Sequence, residues 1–213
     1  MRTNVKKSAC VALCAILVVG CCLLCGCASS FVADDCLSKE QVELLRKDYP
    51  IISEGEMQFD VLVFSWHVRK GIIPLLARVK IVKELPEYSV EVWDDTAEPW
   101  DKTANISLAF RQFIVEVQET YINKSDLPVE NTEIVISFAK FFEESYPVFR
   151  IGEEMILSLD KAKGSHEGTY LMYDNTAYYI VDDAYVISAY DEPAGDTFTG
   201  MKLDALSAIF RAP

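Results

Sequence analysis

The chain has 213 residues, with 20 lysines and arginines against 33 aspartates and glutamates, a formal net charge of −13 at pH 7. Residues 28–213 hold 17 of those cations and all 33 anions, a net charge of −16 that repels phosphate backbones and excludes nucleic acid as a partner. All seven cysteines lie at positions 10 to 36, so whatever follows folds on hydrophobic burial without internal disulfides, over a length sufficient for one good core.

At the N-terminus, Arg2, Lys6 and Lys7 precede 19 uncharged residues, Ser8 to Gly26. Cations ahead of an apolar run stay on the cytoplasmic side, so the chain is directed outward. The run ends in Leu24-Cys25-Gly26-Cys27, which resembles the lipobox of bacterial lipoproteins. The resemblance implies a diacylglyceryl group on the Cys27 thiol and cleavage just before it. Residues 1–26 are then the signal peptide, 27–36 a lipidated tether and 37–213 a single globular domain on the extracytoplasmic face of the cell membrane. Cys25 departs from the small or aliphatic residue usual at the second lipobox position. A competing lipobox is Val18-Val19-Gly20-Cys21, but cleavage there would leave Cys22-Leu23-Leu24-Cys25 at the mature start. The alternative to a lipoprotein is a membrane-spanning anchor, since 18 or more apolar residues can cross a bilayer.

Leu37 to Asp48 reads as a helix. Ser38 is the expected N-cap and Gln41 completes a capping box, with Leu37 and Val42 at the staple positions and Pro50 as the stop. From residue 57 the pattern changes to strands. Phe59–Phe64 is a short apolar run. In Leu76–Val82, Ala77, Val79 and Ile81 face one way and Arg78 and Lys80 the other. Tyr88–Trp93 precedes a polar loop from Asp94 to Asn105. Phe113, Val115 and Val117 alternate with Ile114, Glu116 and Gln118, and Ile134, Ile136 and Phe138 repeat the theme after an Asn123–Pro128 turn. Met155–Leu159, Thr169–Tyr173, Tyr178–Val181 and Tyr185–Tyr190 follow, and a final helix near Lys202–Phe210 puts Leu203, Leu206, Ile209 and Phe210 on one face. Eight or nine short strands framed by an N-terminal and a C-terminal helix predict a mainly β fold, an antiparallel small barrel or a sandwich.

The segments Leu75–Val92 and Phe113–Leu159, above all the phrase from Pro147 through Phe149, Gly152 and Glu153 to Leu159, resemble a recurrent group of exported bacterial domains. That resemblance implies a small closed barrel of the oligonucleotide/oligosaccharide-binding (OB) type and no defined activity. The usual Lys-Gly-Asp turn of the group is replaced here by Asn123-Lys124-Ser125-Asp126, and Trp66–Gly71 has no counterpart in it. An OB-like fold does not carry nucleic-acid binding with it, because function resides in sites.

Gly152-Glu153-Glu154 has the paired acids of a general acid/base site, yet a turn glycine opening an alternating strand explains them. Asp94-Asp95, Asp182-Asp183 and Asp191-Glu192 are oxygen-rich doublets of the kind that bind Ca²⁺, without EF-hand spacing; a solvated acidic surface is the plain reading. The two histidines are His67 and His166, the latter read as part of a hairpin turn, and neither lies beside a Gly-x-Ser-x-Gly elbow. No phosphate loop or cofactor motif is present, and the absence of cysteine after Cys36 excludes a Cys/His zinc site in the domain. Trp66, His67, Arg69 and Lys70 are the most conspicuous candidates for a contact patch, combining an aromatic anchor with cations in an acidic chain. That expectation fails if Trp66 is fully buried and Arg69 pairs internally. Tyr170, Tyr173, Tyr178, Tyr179, Tyr185 and Tyr190 either line a groove or simply serve as strand residues.

The expected function is that of a non-enzymatic, membrane-anchored module binding an envelope protein, peptide or polymer. A small-solute or Ca²⁺-binding module is the alternative, and a hydrolase comes third.

Overall fold

The computed structural model describes residues 36–52, 65–93, 105–124, 131–192 and 197–212. The chain divides into two units between Asp35 and Cys36, and the second contains every described residue. Both lipobox cysteines, the Phe59–Phe64 run and the Asp94-Asp95 doublet lie outside the described residues. No helix among the described residues is long and apolar enough to cross a membrane.

The first helix, α1 (Lys39–Leu45), starts as its sequence dictates: Ser38 Oγ accepts from the Gln41 backbone N–H and Gln41 Oε1 accepts from the Ser38 N–H, at 3.3 and 2.8 Å. It docks on the domain. Arg46, just beyond it, donates to the carbonyls of Tyr49 and Ser188, and the Ile52 N–H reaches the Ala189 carbonyl. A second helix, α2 (Trp66–Ile72), was not signalled by any helical periodicity in the chain.

Among the described residues six strands form one mainly antiparallel sheet: β1 (Leu75–Trp93), β2 (Asn105–Asn123), β3 (Glu133–Ala139), β4 (Glu154–Lys161), β5 (Tyr170–Val181) and β6 (Tyr185–Ser188). Their order is β3-β2-β1-β4-β5-β6, and a short parallel pairing, Ile136 with Tyr170 and Ser137 with Leu171, joins β3 to β5. Five strands therefore close into a ring, β1-β2-β3-β5-β4, with β6 added outside on β5. The expected mainly β, OB-like barrel is the observed fold; the expected sandwich alternative is not.

Two predicted strand pairs fuse. Leu76–Val82 and Tyr88–Trp93 are halves of β1, because Pro86 falls in the register shift between Leu85 and Tyr88, where no ladder N–H is needed. Thr169–Tyr173 and Tyr178–Val181 are likewise joined in β5, whose ladder to β4 jumps from Met172 opposite Leu159 to Ala177 opposite Leu157.

The alternation along the strands builds two apolar cores. Inside the ring lie Leu75, Ala77, Val79 and Ile81 of β1, with Phe113, Val115 and Val117 of β2, Ile136 and Phe138 of β3, and Met155, Leu157 and Leu159 of β4. The opposite faces of β1, β4 and β5 are apolar too: Leu76, Ile156, Tyr178 and Ile180 are covered by Trp66 and Ile73 and by the final helix α3 (Leu203–Arg211) through Leu203, Leu206 and Phe210. A strand buried on both faces departs from simple alternation, which is why Leu75-Leu76-Ala77 has no polar member.

Candidate functional site

Where the ring closes, one cluster brings together side chains from three strands and a loop. Tyr88 follows the β1 bulge and pairs with Phe110 of β2, their rings stacked with centroids 5.3 Å apart. His166 comes from the β4–β5 connection, whose 3₁₀ turn Gly164–His166 lies between two glycines in the left-handed region, Gly164 (φ 65°) and Gly168 (φ 93°). Side chains with a Cβ rarely adopt those angles, so the glycines set the approach of the histidine. Its ring lies 4.4 Å from Phe110 and 5.9 Å from Tyr88.

Hydroxyl groups complete the cluster. Tyr88 Oη is 2.7 Å from His166 Nδ1 and 3.3 Å from Ser137 Oγ on β3. Ser137 Oγ is 3.0 Å from Thr169 Oγ1, which donates to the His166 carbonyl at 2.9 Å. Ser137 and Thr169 are buried, whereas Tyr88 and His166 are half-exposed. The aromatic and imidazole edges thus meet solvent, and the hydroxyls behind them hold their orientation. Ion pairs flank the cluster: Lys140 with Glu87, and Arg111 with Glu84 and Glu143, the Arg111 guanidinium lying over the Phe113 and Phe138 rings. Such exposed pairs contribute little stability, about 0–1 kcal/mol each.

Chemically the cluster suits recognition. The one aliphatic hydroxyl in reach of Tyr88, that of Ser137, is only 1% exposed and locked between two partners. Among the described residues, neither His166 nor Tyr88 is bonded to a carboxylate that would orient an imidazole for base catalysis.

The expected contact patch is not assembled. Trp66 is 8% exposed and sits in the outer core, its ring 4.5 Å from Phe210 and 6.3 Å from Phe198. Arg69 turns inward: Nη1 donates to Thr176 Oγ1 at 2.9 Å, and its guanidinium lies 5.9 Å from the Trp66 centroid. Its Nε and Nη2 are buried with no hydrogen-bond partner. Lys70 reaches the Ala212 carbonyl and accepts Lys124 at its own carbonyl. Of the four named residues only His67 is exposed. Apolar contact with α3 is available only if Trp66 and Arg69 face inward, and that burial removes the anchors from the surface.

Other candidates resolve into structure. Glu154 pairs with Arg78, Nε to Oε2 at 2.6 Å, and Glu153 with Arg150 at 3.2 Å, while Gly152 takes φ 91° in the turn. Asp182 and Asp183 both have positive φ and make the β5–β6 turn, where aspartate is tolerated. Both Glu192 oxygens accept backbone N–H groups, from Phe198 and Thr199. Among the tyrosines, Tyr170, Tyr178, Tyr179 and Tyr190 are core residues and Tyr173 is exposed, so they line no common groove. Cys36 is an exposed free thiol.

Sequence reading missed the Tyr88–Phe110–His166 cluster because its members lie far apart in the chain. The two glycines bracketing His166 were the one local sign that the loop is held in a set shape.

No family model, no curated protein and no solved structure matches this chain.

Proposed function

We propose that this protein is an exported bacterial lipoprotein, held at the extracytoplasmic face by acyl chains on Cys27. Its OB-like domain would serve there as a non-enzymatic binding module for an envelope protein, peptide or polymer. The anchor reading rests on the Ser8–Gly26 run and the Leu24–Cys27 lipobox. The binding reading rests on the Tyr88–Phe110–His166 cluster. It joins β1, β2, β3 and the β4–β5 connection, the part of an OB barrel that other proteins of this architecture use to bind ligands. Two or more acyl chains, at about 0.8 kcal/mol per buried CH₂, make such an anchor durable, and an acidic domain on a tether stands off an anionic lipid surface.

The anchor is tested by labelling with a clickable fatty acid. Cys27→Ser abolishes the label and Cys21→Ser retains it; label persisting on the Cys27 variant would sink the assignment. The binding face is tested by placing a photo-crosslinking amino acid at Ser165, beside His166, in the full chain in native membranes. A stoichiometric adduct absent when the cross-linker sits at exposed Leu44 of α1 supports the reading. Equal or absent adducts at both positions reject it.

A further inference from the structure

The hydroxyls behind His166 form a closed ring whose direction can be worked out from donor counts. A carbonyl only accepts, so Thr169 Oγ1–H donates to the His166 carbonyl, at 2.9 Å. With its one proton used, Thr169 Oγ1 accepts from Ser137, at 3.0 Å. Ser137 Oγ then accepts from Tyr88, at 3.3 Å. Tyr88 Oη, its proton likewise used, accepts from the imidazole, at 2.7 Å. The ring starts at Nδ1–H of His166 and ends at the carbonyl of the same residue. Each hydroxyl donates once and accepts once, and no other arrangement of four protons satisfies all four contacts.

We infer that this ring fixes the neutral His166 as its Nδ1–H tautomer and presents Nε2 as a bare hydrogen-bond acceptor, which takes a ligand hydroxyl or N–H donor. Nε2 is not sealed off: His166 is half-exposed, and among the described residues the side-chain nitrogens that are both buried and unpartnered belong to Arg69 alone. Tyr88 and Phe110 pack against the imidazole and hold its plane. An acceptor here selects uncharged or cationic donors. Carboxylates and phosphodiesters have nothing to donate to it, and the net charge of −16 over residues 28–213 opposes them further. Ser137 and Thr169 are positioning residues, since they act on the imidazole only through Tyr88 and the loop carbonyl. The ligand half of the inference rests on the binding face proposed above.

The test is the tautomer, read by two-bond proton–nitrogen correlation on the full chain in detergent with ¹⁵N-labelled histidine. The chain has only two histidines, so His67→Gln assigns the signals. Wild type shows the Nδ1–H pattern for His166. Ser137→Ala, which touches no atom of the imidazole, frees the Tyr88 proton to turn toward Nδ1 and moves the proton to Nε2. Thr169→Val produces the same flip by leaving Ser137 to donate to Tyr88, and stands in if Ser137→Ala does not fold. An Nε2–H wild type, or variants that leave the tautomer unchanged, overturns the inference. In the Ser165 cross-linking assay, Ser137→Ala lowers the adduct about 5-fold, the size of one hydrogen bond. A flipped tautomer with unchanged adduct overturns the ligand half and leaves the binding face standing; no wild-type adduct removes the face itself and the ligand half with it.

Discussion

Phe210→Ala tests whether the outer core is part of the same cooperative unit as the barrel. Phe210 is 1% exposed and lies against four other rings: Trp66 at 4.5 Å, Tyr121 at 5.6 Å, Phe198 at 5.9 Å and Tyr178 at 6.0 Å. Removing the ring forfeits about 1.5–3 kcal/mol of burial. The space it leaves is walled by stiff aromatic side chains on α2, β2, β5 and the segment leading into α3, which collapse poorly, so the full cost lies near 4 kcal/mol, within the usual range for such truncations. With a urea dependence of about 2 kcal/mol/M, the midpoint falls by ~2 M at unchanged slope. Phe141→Ala, at a side chain 77% exposed, moves it by less than about 0.3 M. The assay is urea unfolding followed by circular dichroism and tryptophan fluorescence. If the Phe210 variant loses less than about 1 kcal/mol, α3 is a loosely attached cover and the two-core description is wrong. If its two probes separate while those of wild type coincide, the cores unfold as separate units.

Two glycines should respond in opposite senses. Gly71→Ala in α2, where a Cβ meets nothing within 4 Å, stabilises by about 0.4–1 kcal/mol, whereas Gly200→Ala, at φ 87° and 3.3 Å from the Leu37 carbonyl oxygen, destabilises by more than about 1 kcal/mol; thermal melts of both variants check the signs. Stability should also fall in alkali. Burial raises the phenols of Tyr121, Tyr146, Tyr178 and Tyr179 above their ordinary value. Below about pH 10 these groups are neutral in both states and the native state keeps its full stability; above it the unfolded chain ionises first, and each phenol removes up to about 1.4 kcal/mol per pH unit until its folded value is reached. Urea midpoints from pH 9 to 11 should drop, and Tyr178→Phe should flatten the slope by one phenol; a flat wild-type profile would contradict the buried assignments.

Strand alternation was readable wherever one face is buried and the other wet, as at Ala77, Arg78, Val79 and Lys80. The α1 start was readable from Ser38 and Gln41 because a capping box is a local hydrogen-bond exchange. Three things were not readable. Pro86 resembles a strand break unless the partner strand shows it sits in a bulge. Helix α2 lacks a helical stripe because Trp66 and Ile73 bury against α3 and β5 while Val68 and Ile72 stay exposed. The parallel closure of β3 on β5 is a pairing of residues more than thirty apart, with no mark in either strand. The candidate site inherits that difficulty, since Tyr88 and His166 are 78 residues apart and meet only once the ring has closed.

The junction at Cys36 has a mechanical consequence. Cys36 bridges Met201, and the Leu37 N–H reaches the Gly200 carbonyl at 2.7 Å, so the start of the domain is fastened to the segment leading into α3. A pull on the chain ahead of Cys36 is borne first by these few backbone bonds and the short α1. The barrel ladders lie behind them in series. Load would strip α1 from the surface and lengthen the leader by about a dozen residues before any strand is strained, so the barrel keeps its shape while the length of free chain ahead of it changes.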